Sequence, residues 1–133
     1  ADMKVTLHRA FDMCKDPLQT MEEAKKLGVT TILTSGQKNC AIDGMELLAQ
    51  LVKKSKGGIE ILVGGGVDSA VIERIYCETK ATSYHMSGKI SVPSQMEYRN
   101  SKVSMGLSSM SEYEIWRTSE NRIREAKVCL ERL

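Results

Sequence analysis

No apolar run in this chain approaches the roughly 20 residues that a membrane-spanning helix needs, and the opening residues ADMKV lack the hydrophobic core of a signal peptide. Charge of one sign is missing too. The 19 Lys and Arg against 17 Asp and Glu leave a net charge of +2, too weak a field to imply nucleic acid or an anionic bilayer as partner. The densest basic run, KKSK at 53–56, reads as a helix C-terminus, where cations favour the dipole. With only 2 prolines and 10 glycines among 133 residues, the low-complexity and disordered classes are excluded. The four cysteines, Cys14, Cys40, Cys77 and Cys129, form no C-x-x-C pair, which speaks against a zinc ribbon or a disulfide scaffold. Free thiols suit a reducing compartment, so a cytoplasmic protein is expected.

What the chain does have is alternation. Apolar β-type runs at 4–10, 30–35, 59–65 and 82–88 alternate with helical patterns. Asp16-Pro17 opens a helix over 16–27, with Leu18, Met21, Ala24 and Leu27 at helical spacing. A second helix is expected over 41–56 and a third from Asp68 as N-cap, stopping before Thr79. Such βα alternation predicts an α/β fold with a parallel sheet and right-handed crossovers. Residues 89–109 are polar and without period and read as a long loop; 112–116 is a short extended piece, and a last helix starts near Ser119.

In parallel βα sheets the chemistry gathers at the C-terminal ends of the strands. The first strand ends in His8, Arg9 and Asp12, the second in Thr34, Ser35, Gly36 and Gln37, the third in Gly64, Gly65 and Gly66, the fourth in His85, Ser87, Gly88 and Lys89. Both histidines of the chain are in that set. They are candidate proton-transfer groups or hydrogen-bonded structural residues; Arg9 and Asp12 either meet a ligand or hold the loop as a local ion pair. The run VGGGVDSA at 63–70, followed after the next strand by SGK, is a candidate anion-binding turn, or simply a tight βα turn. Cys14 and Cys40 fall in βα loops and, with Met13 and Met86, offer the soft sulfur that selects Cu(I). The 8 methionines serve equally well as core filler.

The segments FDMCKDPL, ILTSGQ and YRNSKVSMG, with GGIEILVGGGV and SYHMSG between them, resemble the CutC copper homeostasis family over nearly the whole chain. The resemblance implies a cytoplasmic (β/α)8 barrel connected with copper tolerance or Cu(I) handling and with no firmly established reaction. What matches is the second half of such a barrel, which needs about 250 residues: the last four βα units, a loop and a final helix, as one domain. It carries over His8, Arg9, Asp12, Ser35, Gly36, Gly64, Gly65, Gly66 and His85 as pocket residues, and adds Arg99 and Asn100 of YRN. It carries over no cysteine, so Cys14 and Cys40 rest on their own chemistry.

Three functional classes stay open, the first two being a Cu(I)-handling protein and an enzyme acting on a small phosphorylated or carboxylated metabolite with His8 or His85 as acid or base. A scaffolding role is the third. Four strands of a barrel also leave two edges and one face uncovered. If Leu7, Ile32, Leu62 and Tyr84 pack under the helices, then Thr6, His8, Thr34, Val63 and His85 line the interior. Self-association is the expected cover, with a complementary half-barrel or the 89–118 tail folding over as the alternatives. Since no Met stands at position 1, a piece of a longer protein is a further expectation.

Overall fold

The computed structural model describes residues 3–106 and 111–133. Four βα units follow one another: β1 (Thr6–Leu7), α1 (Pro17–Lys26), β2 (Thr31–Thr34), α2 (Met45–Ser55), β3 (Glu60–Gly64), α3 (Ser69–Thr79) and β4 (Ser83–His85). β5 (Lys89–Pro93) and β6 (Glu114–Thr118) then intervene before α4 (Glu120–Arg132). The first four strands form one parallel sheet in the order β1-β2-β3-β4, and β5 and β6 form a separate antiparallel pair.

Local chemistry starts the helices where expected. The Asp16 carboxylate accepts the amides of Leu18 and Gln19, that of Asp68 accepts Val71 N, and the Ser119 hydroxyl accepts Arg122 N. Each relieves an orphan donor of a first turn. The first strand is shorter than 4–10. It ends at Leu7, because His8 Nδ1 accepts Ala10 N and caps a 3-10 turn, Arg9–Met13. The second helix is likewise split, a 3-10 turn Ala41–Gly44 preceding α2. The 89–109 loop is corrected at its start: Ile90 and Val92 are half-buried and alternate with exposed neighbours in β5, a period-2 pattern that ends at Pro93, the register partner of Glu114. Residues 107–109 of that expectation lie outside the described residues.

Register fixes which side chains face the helices. Leu7 pairs with Ile32, Ile32 with Ile61, Thr34 with Val63, and Val63 with Tyr84, so this set shares one face. Ile32, Thr34 and Val63 are each 0% exposed there, beneath Met21 of α1, Leu48 and Leu51 of α2, Ile72 and Ile75 of α3, and Ala126 of α4. Leu7, Ile32 and Tyr84 thus sit under the helices as expected, whereas Thr34 and Val63 turn to the helices and Leu62 to the other face. The run Ile61-Leu62-Val63 is apolar throughout, as in a strand with two covered faces, so its parity was not readable from hydropathy.

Tyr84 gives this core a spectroscopic handle. Its hydroxyl donates to Ala81 O at 2.8 Å; burial, with Cys129, Tyr76 and Cys77 nearby, pushes the phenol up to about 12. A folded-state value above the unfolded value of about 10 supplies stability that is present below pH 10 and lost as pH rises toward 12. An alkaline difference spectrum should show one phenol resisting ionisation until about 12, absent from Tyr84→Phe. A wild-type titration identical to that of the variant would contradict it.

Candidate functional site

The strand ends of β1 and β2 meet at Asp12. In a 3-10 helix, side chains three apart eclipse, and Arg9 Nε accordingly donates to Asp12 Oδ2 at 2.8 Å. The second segment supplies the remaining donors: Thr34 Oγ1 at 2.5 Å, Ser35 Oγ at 3.0 Å, Ser35 N at 3.2 Å and Gln37 N at 3.1 Å. The Asp12 side chain is 8% exposed. Burial raises its proton affinity, but the bonds from Thr34, Arg9, Gln37 and Ser35 outweigh that and hold the carboxyl below the usual range. Asp12 is an ionised anchor whose lone pairs are all in use.

Arg9 is what Asp12 holds. Its Nη2 donates to Ser35 Oγ at 2.6 Å and to the Lys38 carbonyl at 2.9 Å, and the Ser35 hydroxyl reaches that same carbonyl. With Nε and Nη2 committed, Nη1 has no hydrogen-bond acceptor among the described residues. It lies 3.4 Å from where a Cβ on Gly65 would stand. Gly65 and Gly66 carry the chain out of β3 at φ 107° and 68°, a left-handed path that glycine adopts without a Cβ penalty. Ala41 N bonds to Gly65 O at 2.8 Å, tying this turn to the loop after β2. His85 joins the same rim, its Nδ1 3.7 Å from the Cβ position of Gly64.

The structure therefore brings together Arg9, Asp12, Ser35, Gly36, Gly64, Gly65, Gly66 and His85. His8 flanks them, with Nδ1 spent on Ala10 N. Ser87 and Gly88 form the junction to the C-terminal elements: Thr118 Oγ1 donates to Ser87 O, Ser119 N donates to Gly88 O, and Gly88 is covered by Ile123. Lys89 lies over the Trp116 ring at 4.7 Å. Arg99 and Asn100 are engaged elsewhere, Arg99 over the Tyr113 ring at 4.8 Å and Asn100 accepting Lys102 N at 3.0 Å. Thr34 and Gln37 join the site from the end of the second strand, as expected, while the Lys38 carbonyl is a member that residue type alone did not single out; Gln37, at φ 60°, is held by its own contacts.

The thiols of Cys14 and Cys40 are free, Cys14 half-buried and Cys40 exposed. Gln37 Nε2 donates to the Cys14 carbonyl at 2.6 Å and approaches its Sγ at 3.6 Å. Cys40 Sγ lies 3.3 Å from the Cβ position of Gly66. Among the described residues, no three His, Cys, Asp or Glu side chains converge as a metal centre would require. None of the described helices is long and apolar enough to cross a membrane.

Comparison with known proteins agrees with this layout. The CutC family model matches residues 1–90. A family protein CutC from Parabacteroides distasonis is 44% identical over 92% of this chain and 51% of its own length. A mouse copper homeostasis protein cutC homolog is 40% identical over 92% of this chain and 45% of its own. Among solved structures, the one described as the copper homeostasis protein CutC of Streptococcus agalactiae superposes with a TM-score of 0.59 at 31% identity, covering 63% of this chain and 42% of that one. The chain spans about half the length of the curated relatives it matches. The HRAFD, TSG and GGG segments that build the Arg9 rim lie inside the matched residues 1–90, and the chain belongs to the CutC family.

Proposed function

We propose that the protein serves copper homeostasis, the role its relatives' names carry, through a strand-end site that binds a small phosphorylated or carboxylated molecule, with Cys14 and Cys40 as the groups that meet Cu(I). One observation supports the anion site above the others. Asp12, Ser35 and the Lys38 carbonyl fix the Arg9 guanidinium so that Nη1 faces the Gly65 turn with no partner among the described residues. A fixed guanidinium costs little further ordering when an anion arrives, and its planar fork suits carboxylate and phosphate alike. In this reading Asp12 positions Arg9 and moves no proton. A proton-transfer role falls to His85, the imidazole on the rim whose nitrogens carry no hydrogen bond among the described residues.

Cu(I) is cargo here. Thiolate sulfur is its preferred ligand, and exposed Cys40 beside Gly66 is the accessible one. The absence of a converging three-residue group among the described residues supports exchangeable contact over a closed centre. Free thiols fit a reducing compartment, and we place the protein in the cytoplasm.

Titration with inorganic phosphate and with citrate, followed by amide NMR, should shift Gly65 and Gly66. Arg9→Gln should weaken binding at least ~10-fold, the scale of one charge-assisted hydrogen bond. Unmoved glycine amides at tens of millimolar anion would sink the site. Anaerobic Cu(I) competition against a chelator tests the thiols separately: Cys14→Ser or Cys40→Ser should lower affinity, and an unchanged affinity would remove them from the reading.

A further inference from the structure

Among the described residues, two that are not glycine have a positive φ, Gln37 and Lys80. Lys80 caps the end of α3, an ordinary place for a left-handed residue. Gln37 has no such excuse. It stands in the loop after β2, directly behind Gly36, itself at φ 71°. The left-handed region disfavours any residue with a Cβ, and a glycine at position 37 would adopt φ 60° freely. Backbone conformation therefore does not account for a glutamine here. A strained residue persists where its surroundings over-determine it, and such positions collect at ligand sites.

The surroundings are the 3-10 turn Arg9–Met13, on which both polar ends of Gln37 are spent. Its backbone N donates to Asp12 Oδ1 at 3.1 Å, and its side-chain Nε2 donates to the carbonyl of Cys14, the cap of that turn, at 2.6 Å. A carbonyl only accepts, so the amide must turn its NH2 end to Cys14. One anchor thus grips the turn at Asp12 and the other at its C-terminal end. Arg9 depends on both. It is 41% exposed and is held along its Nε and Nη2 edge by Asp12, Ser35 and the Lys38 carbonyl, so its guanidinium is no more rigid than the turn that carries Arg9 and Asp12.

We propose that Gln37 is a positioning residue of the anion site, its side-chain amide pinning the 3-10 turn so that Asp12 sets the Arg9 guanidinium before an anion arrives. Gln37 acts through Asp12 and Arg9 and does not touch the anion. The inference deepens the anion reading of the Arg9 site and rests on it.

Gln37→Gly removes the side-chain bond and the left-handed penalty together while leaving the backbone donor to Asp12, so its urea midpoint should stay near that of wild type. Its affinity for inorganic phosphate should nevertheless fall ~5-fold, the scale of ordering one more side chain on binding. The Arg9 Nε–H resonance, protected from exchange in wild type by its bond to Asp12, should broaden. Gln37→Met keeps the bulk and the left-handed penalty but cannot donate, and should lose both midpoint and phosphate affinity. Wild-type phosphate affinity in Gln37→Gly overturns the proposal, as does an Arg9 resonance unmoved in both variants. A Gln37→Gly midpoint far below wild type overturns it too, by making the side chain a stability element. The anion reading fails separately: a wild type that binds no phosphate sinks that reading, and the Arg9 resonance then decides alone whether Gln37 sets the guanidinium.

Discussion

Asp12→Ala should lower the free energy of unfolding by about 3 kcal/mol, read as a fall in the urea midpoint at unchanged slope. The substitution removes the acceptor of the Thr34 hydroxyl and of the Ser35 and Gln37 amides together. A buried donor left without a partner costs about 1–3 kcal/mol. The Arg9 side chain, 41% exposed, rehydrates when its partner is lost, so the ion pair itself adds little. Acid gives the second reading. Because the Asp12 carboxyl is held below its usual value of 3.8, the folded state binds fewer protons than the unfolded state through that range. Its contribution is present above about pH 4 and disappears as pH falls through the folded value. Wild type should therefore lose stability more steeply than Asp12→Asn on acidification below pH 4. Parallel acid limbs, or a loss under ~1 kcal/mol for Asp12→Ala, an ordinary surface cost, would show that the carboxylate is not an anchor.

The features legible in the sequence are those decided within a few residues. Asp16, Asp68 and Ser119 announce helices because each side chain bonds amides two or three positions on. The glycines after β3 announce a turn because φ 107° and 68° are glycine conformations. The Asp12 anchor was legible only as a suspicion. Arg9 is three residues away, but Thr34 and Gln37 are 22 and 25 residues away, and hydropathy does not say which strand ends meet. The faces of β3 were illegible for a related reason: Ile61, Leu62 and Val63 are interchangeable to a burial argument, and the parity is set by pairing with Ile32 and Leu33. β5 was missed because Ile90 and Val92 are only two alternations long beside a proline; its partner strand, some 25 positions on, supplies the pairing.

Gly44 is a residue whose importance depends on such distant pairing, and Gly44→Ala should be strongly destabilising. Its φ of −101° is open to any residue, so nothing about local conformation demands glycine. Space does. A Cβ at Gly44 would fall far inside contact distance of the Ser35 carbonyl oxygen and within 2.9 Å of Gly36 Cα. Those neighbours are backbone, which no rotamer change can move aside. Gly36 reciprocates, since a Cβ there would meet Gly44 Cα at 2.9 Å. The loop after β2 and the 3-10 turn before α2 thus touch chain to chain, and that contact seats Ser35 under Arg9. Overpacking of this kind costs about 3 kcal/mol, and the shift should propagate to Ser35 and loosen the Arg9 guanidinium, so phosphate binding should weaken along with stability. Gly57→Ala is the control. Gly57 has φ 88° but nothing within 4 Å of its Cβ position, so alanine there suffers only left-handed strain of about 1 kcal/mol. Urea midpoints for the pair separate space from conformation: if Gly57→Ala proves the more destabilising, the backbone contact between Gly36 and Gly44 is not what holds Ser35 in place.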